Sequence, residues 1–220
     1  IMSRLIFTIT IIEDEDADIW ANDFDVAAGT TATLLTGHTD GLGHLISVTP
    51  SASLQSTIFT FVGTDANARA QTEVLTVAGT SLVPTVKYYR TLTAVTIDAV
   101  NADAVTVDIG ITDDAVSKFI PLDWRSDSQA AIAVEQVGTS ANWDIQETYS
   151  PVLDIGKEGG LSTSSTQDAI VWTDITALAA KATDTDGKAT LGVTAVRFLL
   201  NSTGTSTDDM IIRIQQSSKS

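Results

Sequence analysis

Between residues 58 and 111 apolar and polar positions alternate in short runs. Phe59 and Phe61 alternate with Ile58, Thr60 and Val62, and Val105, Val107, Ile109 and Ile111 alternate with Thr106, Asp108 and Gly110. A period of two sends successive side chains to opposite faces of a sheet, so each run predicts a strand. Gly63, Asp65 and Asn67 supply a turn after the first run, and Asn101 and Asp103 one before the last. These residue types tolerate turn conformations that β-branched side chains resist. Strands broken by turns at intervals of about ten residues predict an antiparallel sandwich.

The same signs continue on both sides of this block. Residues 5–12 read as a strand with Leu5, Phe7, Ile9 and Ile11 on one face, and residues 45–48 begin another that ends at Pro50. Asp113 and Asp114 open a linker at about 113–118, and Phe119 opens a second unit. There, residues 131–137 and 142–149 read as a hairpin through 138–140, with Trp143, Ile145 and Tyr149 on one face. Residues 154–167, with Gly156, Gly159 and Gly160, read as a long loop, and long loops in compact domains are often functional. Residues 169–172 predict a short strand and 177–181 a single helical turn. Residues 193–200 and 210–215 predict a closing strand pair. The expected fold is all-β: two antiparallel β-sandwich or jelly-roll-like units with little helix, one over residues 1–115 and one over 119–220.

Composition sharpens this picture. Twelve basic against 28 acidic residues leave a net charge of −16. Phosphate backbones need clustered Lys and Arg, so nucleic acid is not an expected partner, and anionic membranes are disfavoured. The apolar run at 5–12 is too short to span a membrane, and its two threonines and following acids do not suit a signal peptide. Charged residues make up only 18% of the chain, which suits sheets whose outer faces are polar but uncharged. There is no cysteine, which excludes disulfides, thiol nucleophiles and thiolate–metal sites.

Candidate chemistry is sparse. The acidic run at 13–18 reads as a solvated loop, with a calcium site or a docking patch for a basic surface as the functional alternative; it lacks the glycine and the final glutamate of an EF-hand. His38, Asp40 and His44 fall within seven residues and are the candidate metal ligands. Three glycines in the same stretch point instead to a tightly turned loop, and no regular period puts both rings on one face with Asp40. No Gly-x-Ser-x-Gly motif occurs, and the glycines around Lys157 lack the spacing of a phosphate-binding loop. No catalytic residue and no cofactor are therefore expected. Trp20, Trp124, Trp143 and Trp172 are candidates for a sugar-binding platform, although aromatic residues on strands more often build the core. Tyr88 and Tyr89 are adjacent and face opposite ways, so at least one should lie on the outer face or contact another subunit.

Three segments carry a resemblance: Ile58 through Asn67, Gln71 through Gly79, and Val86 through Val95. Together they resemble a β-rich structural protein of tailed bacteriophages. Phe119 to Asp123, Asn142 to Tyr149, Trp172, Val193 to Phe198 and Ile211 to Gln216 are similar to that family's second unit. Ala68 stands where the family's turn carries glycine, and the acidic segment from Glu13 to Asp25 has no counterpart there. The resemblance implies a virion component without enzymatic activity, assembled in the host cytoplasm. The leading reading is a capsid decoration (cement) protein that binds the major capsid protein or other virion subunits, with a trimer favoured. The alternatives are a tail or head–tail connector component and a carbohydrate-binding module. Interface candidates are Tyr88, Tyr89, Arg90, Leu5, Phe7, Ile211 and Arg213, with the strands at 5–12 and 210–215 as edges for strand addition.

Overall fold

A computed structural model describes residues 2–9, 16–26, 31–97, 105–123, 129–137, 141–150, 170–202 and 209–217. The turn at Asn101, Trp124, the loop at 154–167 and acidic residues 13–15 lie outside them, as do the side chains of Leu5 and Phe7. Among the described residues the strands are, in chain order, β1 (Met2–Ile9), β2 (Asp16–Asp25), β3 (Gly43–Pro50), β4 (Leu54–Thr64), β5 (Ala70–Gly79), β6 (Val83–Tyr89), β7 (Thr91–Ile97) and β8 (Thr106–Val116). Then follow β9 (Ile120–Pro121), β10 (Ala131–Val137), β11 (Asn142–Thr148), β12 (Thr173–Asp174), β13 (Thr185–Lys188), β14 (Ala195–Ser202) and β15 (Asp209–Ser217). The helical turn expected at 177–181 is a 3-10 turn at Thr176–Leu178. The fold is all-β, built from antiparallel sheets.

The chain divides into two compact units, Glu13–Lys118 and a second made of Ile1–Ile12 with Phe119–Ser220. This corrects the expected 1–115 unit, because β1 pairs with β15 over its whole length and so belongs with the C-terminal half. Leu5 opposes Ile214 and Phe7 opposes Ile212.

In the 13–118 unit, β8 lies between β2 and β3, and β6 flanks β3. A second sheet has the order β5-β4-β7. The core is drawn from both: Phe59, Phe61 and Val95 on one side, Ile46, Val48, Ile109 and Ile111 on the other, all buried. The expected alternation holds in β4, where the two phenylalanines point inward and Val62 outward. Two glycines are set by backbone approach. A Cβ at Gly63 would lie 2.0 Å from the Thr91 carbonyl oxygen, and one at Gly110 1.9 Å from that of Asp16. The turn after β4 is held by Asp65, whose Oδ1 accepts from the N–H groups of Asn67 (2.9 Å) and Arg69 (2.7 Å). Ala68 sits in this turn with φ of 60°, the left-handed region that glycine enters more easily.

In the other unit one sheet has the order β1-β15-β10-β13, and β12, β11 and β14 pair in succession, with β9 also on β14. Two expected pairings are therefore wrong. β10 pairs with β13 and β15 rather than β11, and β14 pairs with β11 rather than β15. A short connection can close a hairpin or carry the chain to the opposing sheet, and side-chain alternation is the same for both. Trp143 and Ile145 are buried as expected, and Trp143 stacks on Phe198 with ring centroids 6.2 Å apart. Tyr149, expected on their face, is exposed.

Candidate functional site

His38, Asp40 and His44 come together at one end of the β3 sheet. No regular period unites them; the tightly turned loop expected from the glycines folds them onto one another. Gly37 (φ 72°) and Gly41 (φ 78°) adopt left-handed conformations on either side of Asp40. Gly37 is required twice over, since a Cβ there would lie 2.3 Å from the Trp20 indole. Asp40 Oδ1 accepts from the Leu42 N–H at 2.9 Å, which closes the turn. His44 follows on β3, opposite Tyr89 of β6 and Ala115 of β8.

The carboxylate bridges the two rings. His38 Nδ1 lies 3.1 Å from Asp40 Oδ1, and His44 Nε2 lies 2.8 Å from Asp40 Oδ2. The remaining ring nitrogens point at main-chain carbonyls: His38 Nε2 is 3.1 Å from Tyr89 O, and His44 Nδ1 is 3.4 Å from Thr112 O. All three side chains are shielded from solvent. The rings meet at a centroid distance of 4.5 Å, and the Trp20 ring stands edge-on to His38 at 5.7 Å. Burial pushes the Asp40 carboxyl up, but hydrogen bonds to His38 and His44, the attraction of His44 and the Leu42 N–H outweigh it. The carboxyl is held well below the usual carboxylate range.

The expected interface residues are scattered. Tyr89 is a correction: it is fully buried, packs against Phe61 at 6.4 Å and belongs to the core. Burial raises its hydroxyl above the usual tyrosine range, and the charge of Glu73 adds to this. Tyr88 is half-buried, and its carbonyl accepts from Gln71 Nε2 at 2.6 Å. Arg90 is exposed. Ile211 and Arg213 lie on β15, which is flanked by β1 and β10 and is therefore no edge for strand addition. Arg213 pairs with Glu135 at 2.6 Å beside a shallow groove of about 290 Å³ on β10, β13 and β15. Among the described tryptophans, Trp20 and Trp143 are buried, and Trp172 is half-buried with the Arg197 guanidinium 4.4 Å from its ring centroid. They form no exposed aromatic plane.

The pattern missed in the sequence is the use of acids as clamps on main-chain amides. Glu73 accepts from the N–H groups of Val86 (2.7 Å) and Lys87 (2.9 Å). Glu147 accepts from Thr190 N at 2.8 Å and Thr190 Oγ1 at 2.6 Å, and Asp144 from Ala180 N and Asn201 Nδ2. None of these acid–amide pairs is close in sequence, so spacing carries no sign of them. Asp114 is raised by partial burial and by the neighbouring charge of Asp113. Among the described residues no helix is long and apolar enough to cross a membrane. Compared with protein-family models, curated proteins and solved structures, the chain matches none of them.

Proposed function

We propose that this chain is a non-enzymatic structural protein of a tailed-bacteriophage virion that decorates and cements the outer capsid lattice. One observation carries the reading: the eight-residue strand β1 pairs with β15 along one side, and among the described residues no strand pairs with its other side. A long unprotected edge is a template for a strand of another chain. Its sequence, Met2-Ser-Arg-Leu-Ile-Phe-Thr-Ile9, contains one charge and no proline to discourage such pairing. By contrast, Glu73 and Gln71 bond to the main chain of β6 and occupy groups that strand addition would use.

Two further features support the reading. The buried acids Asp65, Asp144 and Glu147 hold turns and strand connections, which is structural work. A net charge of −16 keeps free subunits apart until a complementary surface is met. Weak contacts repeated on a lattice then add up through avidity. The major capsid protein is the proposed partner, and a trimer the proposed oligomer.

Proteomics and cryo-EM of particles from the phage or prophage encoding the chain test the proposal. Density at local three-fold sites of the lattice is the expected result. A six- or twelve-fold ring at the tail would move the chain to the connector, and its absence from purified particles would sink the virion reading. Proline at Ile6 and, separately, at Phe7 tests the edge. Consecutive amides of a strand point opposite ways, so one substitution should break the β15 ladder while the other spares the fold and abolishes particle binding.

A further inference from the structure

We propose that His38, Asp40 and His44 form a structural site for a divalent transition-metal ion of the zinc type, which locks the loop before β3 onto the end of its sheet. The argument starts from a count of hydrogens. Four ring nitrogens face four acceptors: Tyr89 O, Thr112 O and the two oxygens of Asp40. Two neutral imidazoles carry two N–H groups between them. All four oxygens only accept, so two of the four contacts lack a hydrogen unless two more protons or a cation supply the deficit; a cation fits when the two hydrogens sit on His38 Nε2 and His44 Nδ1, the nitrogens that face carbonyls. His38 Nδ1 and His44 Nε2 then present lone pairs to a carboxylate. Lone pairs facing a carboxylate repel unless a cation lies among them.

This is the arrangement that a metal site requires. A ligating histidine donates its other ring N–H to a carbonyl or carboxylate, which fixes the tautomer and aims the lone pair at the ion. Both rings have a main-chain carbonyl placed to receive that N–H, Tyr89 O for His38 and Thr112 O for His44. The three ligand atoms lie within 4.8 Å of one another. Ligand atoms around a tetrahedral ion with bonds of about 2.0–2.1 Å stand about 3.3 Å apart, so on binding the gaps of 3.1 and 2.8 Å to the two carboxylate oxygens would widen slightly and the wider separations in the cluster, at most 4.8 Å, would close. Two imidazoles and one carboxylate suit zinc and its neighbours, whereas calcium and magnesium prefer oxygen throughout. Three protein ligands leave one position for water. Solvent is excluded from all three side chains, so the ion would stabilise rather than catalyse. The carbonyls that face the outer ring nitrogens, Tyr89 O and Thr112 O, belong to β6 and β8, so binding would join the loop to both. The inference is independent of the virion reading and stands or falls separately from it.

The test uses the full-length purified protein, stripped with a chelator, and Zn²⁺ or Co²⁺ alone as the probe. The expected result is one Zn²⁺ per chain by titration calorimetry, a rise of several degrees in Tm, and Co²⁺ absorption bands of tetrahedral intensity. Asp40→Asn keeps the volume and removes the charge, and should weaken binding about 100-fold or more while circular dichroism stays that of the wild type. His38→Gln should do the same, which covers the case in which Asp40→Asn unfolds. Absence of Zn²⁺ binding by the folded wild type overturns the proposal and leaves a proton-held cluster. Binding that survives in folded Asp40→Asn and His38→Gln places the ion elsewhere and overturns it equally.

Discussion

The two units solve the same problem with different means. Each packs antiparallel sheets around buried aromatic side chains, and each must bury polar groups without cationic partners to spare, since 12 basic residues face 28 acids. The 13–118 unit concentrates buried polar groups in one place, the His38–Asp40–His44 cluster, whose side chains face one another out of solvent. The other unit distributes the task along β11, where Asp144 and Glu147 each reach a main-chain amide in a remote connection. An unpaired buried carboxylate is costly, and an amide hydrogen is the donor every protein has in supply. The comparison teaches that an acidic composition in a β protein can be partly internal architecture. It is not only a solvated surface.

The largest effects should come from the two cores. Trp143→Ala removes a fully buried ring stacked on Phe198, and Phe61→Ala removes its counterpart beside Tyr89. Each should cost about 3–5 kcal/mol in urea unfolding. Hydrogen exchange should rise first in β11 and β14 for Trp143→Ala and in β4 and β7 for Phe61→Ala. A loss under about 1 kcal/mol for either would mean that the ring does not anchor its unit.

Strand content was legible in the sequence because alternation reports burial directly, as Phe59 and Phe61 show against Val62. Pairing was not. β1 joins β15 across most of the chain, and β10 departs from β11 to the opposing sheet, because alternation states which face is apolar and not which strand lies beside it. The candidate metal ligands were visible as residue types, but not as a site. Their union depends on left-handed glycines at 37 and 41, and a period of two or 3.6 has no term for that. Tyr89 was misplaced for a related reason. Parity separates it from Tyr88, but which of the two faces inward is decided by the sheet opposite.

Glycine substitutions set rigid neighbours against yielding ones. In the 13–118 unit Gly63→Ala drives a methyl into the Thr91 carbonyl, and Gly110→Ala into that of Asp16, both main-chain atoms of paired strands. In the other unit a Cβ at Gly187 meets Leu178 Cγ at 2.7 Å, an atom of a fully buried side chain, which gives more readily than paired main chain. Gly63→Ala and Gly110→Ala should each lower stability by about 3 kcal/mol, and Gly187→Ala by roughly 1 kcal/mol. Chemical denaturation of the three variants checks the order. Equal losses would mean that the β4–β7 and β2–β8 ladders shift as easily as a leucine does.

The clamps should separate by burial. Glu147→Ala strands the Thr190 amide and hydroxyl that its buried carboxylate receives, and should cost about 2–3 kcal/mol. Glu73→Ala releases the amides of Val86 and Lys87, where water can take over because Val86 is exposed, and should cost about 1 kcal/mol or less. The second variant also uncovers β6, so increased self-association on sizing columns is expected from it alone.

The smallest effect is a gain, and it is predicted for both units at once. Ala68 (φ 60°) and Ala180 (φ 51°) are alanines in left-handed turns, one in each unit. Each turn is held by an aspartate: Asp65 accepts from Asn67 and Arg69 around the first, and Asp144 accepts from the Ala180 amide itself. A left-handed alanine costs about 1–2 kcal/mol, and glycine removes that strain while adding freedom to the unfolded chain. Ala68→Gly and Ala180→Gly should therefore each raise stability by a net amount of about 0.5–1 kcal/mol. Asp65→Ala and Asp144→Ala should reduce the benefit of glycine if the carboxylates are what enforce the left-handed turns, and double-mutant cycles measure that coupling. A cycle that closes with no coupling would show that the turns are imposed by the flanking strands, and would remove the role assigned to these acids.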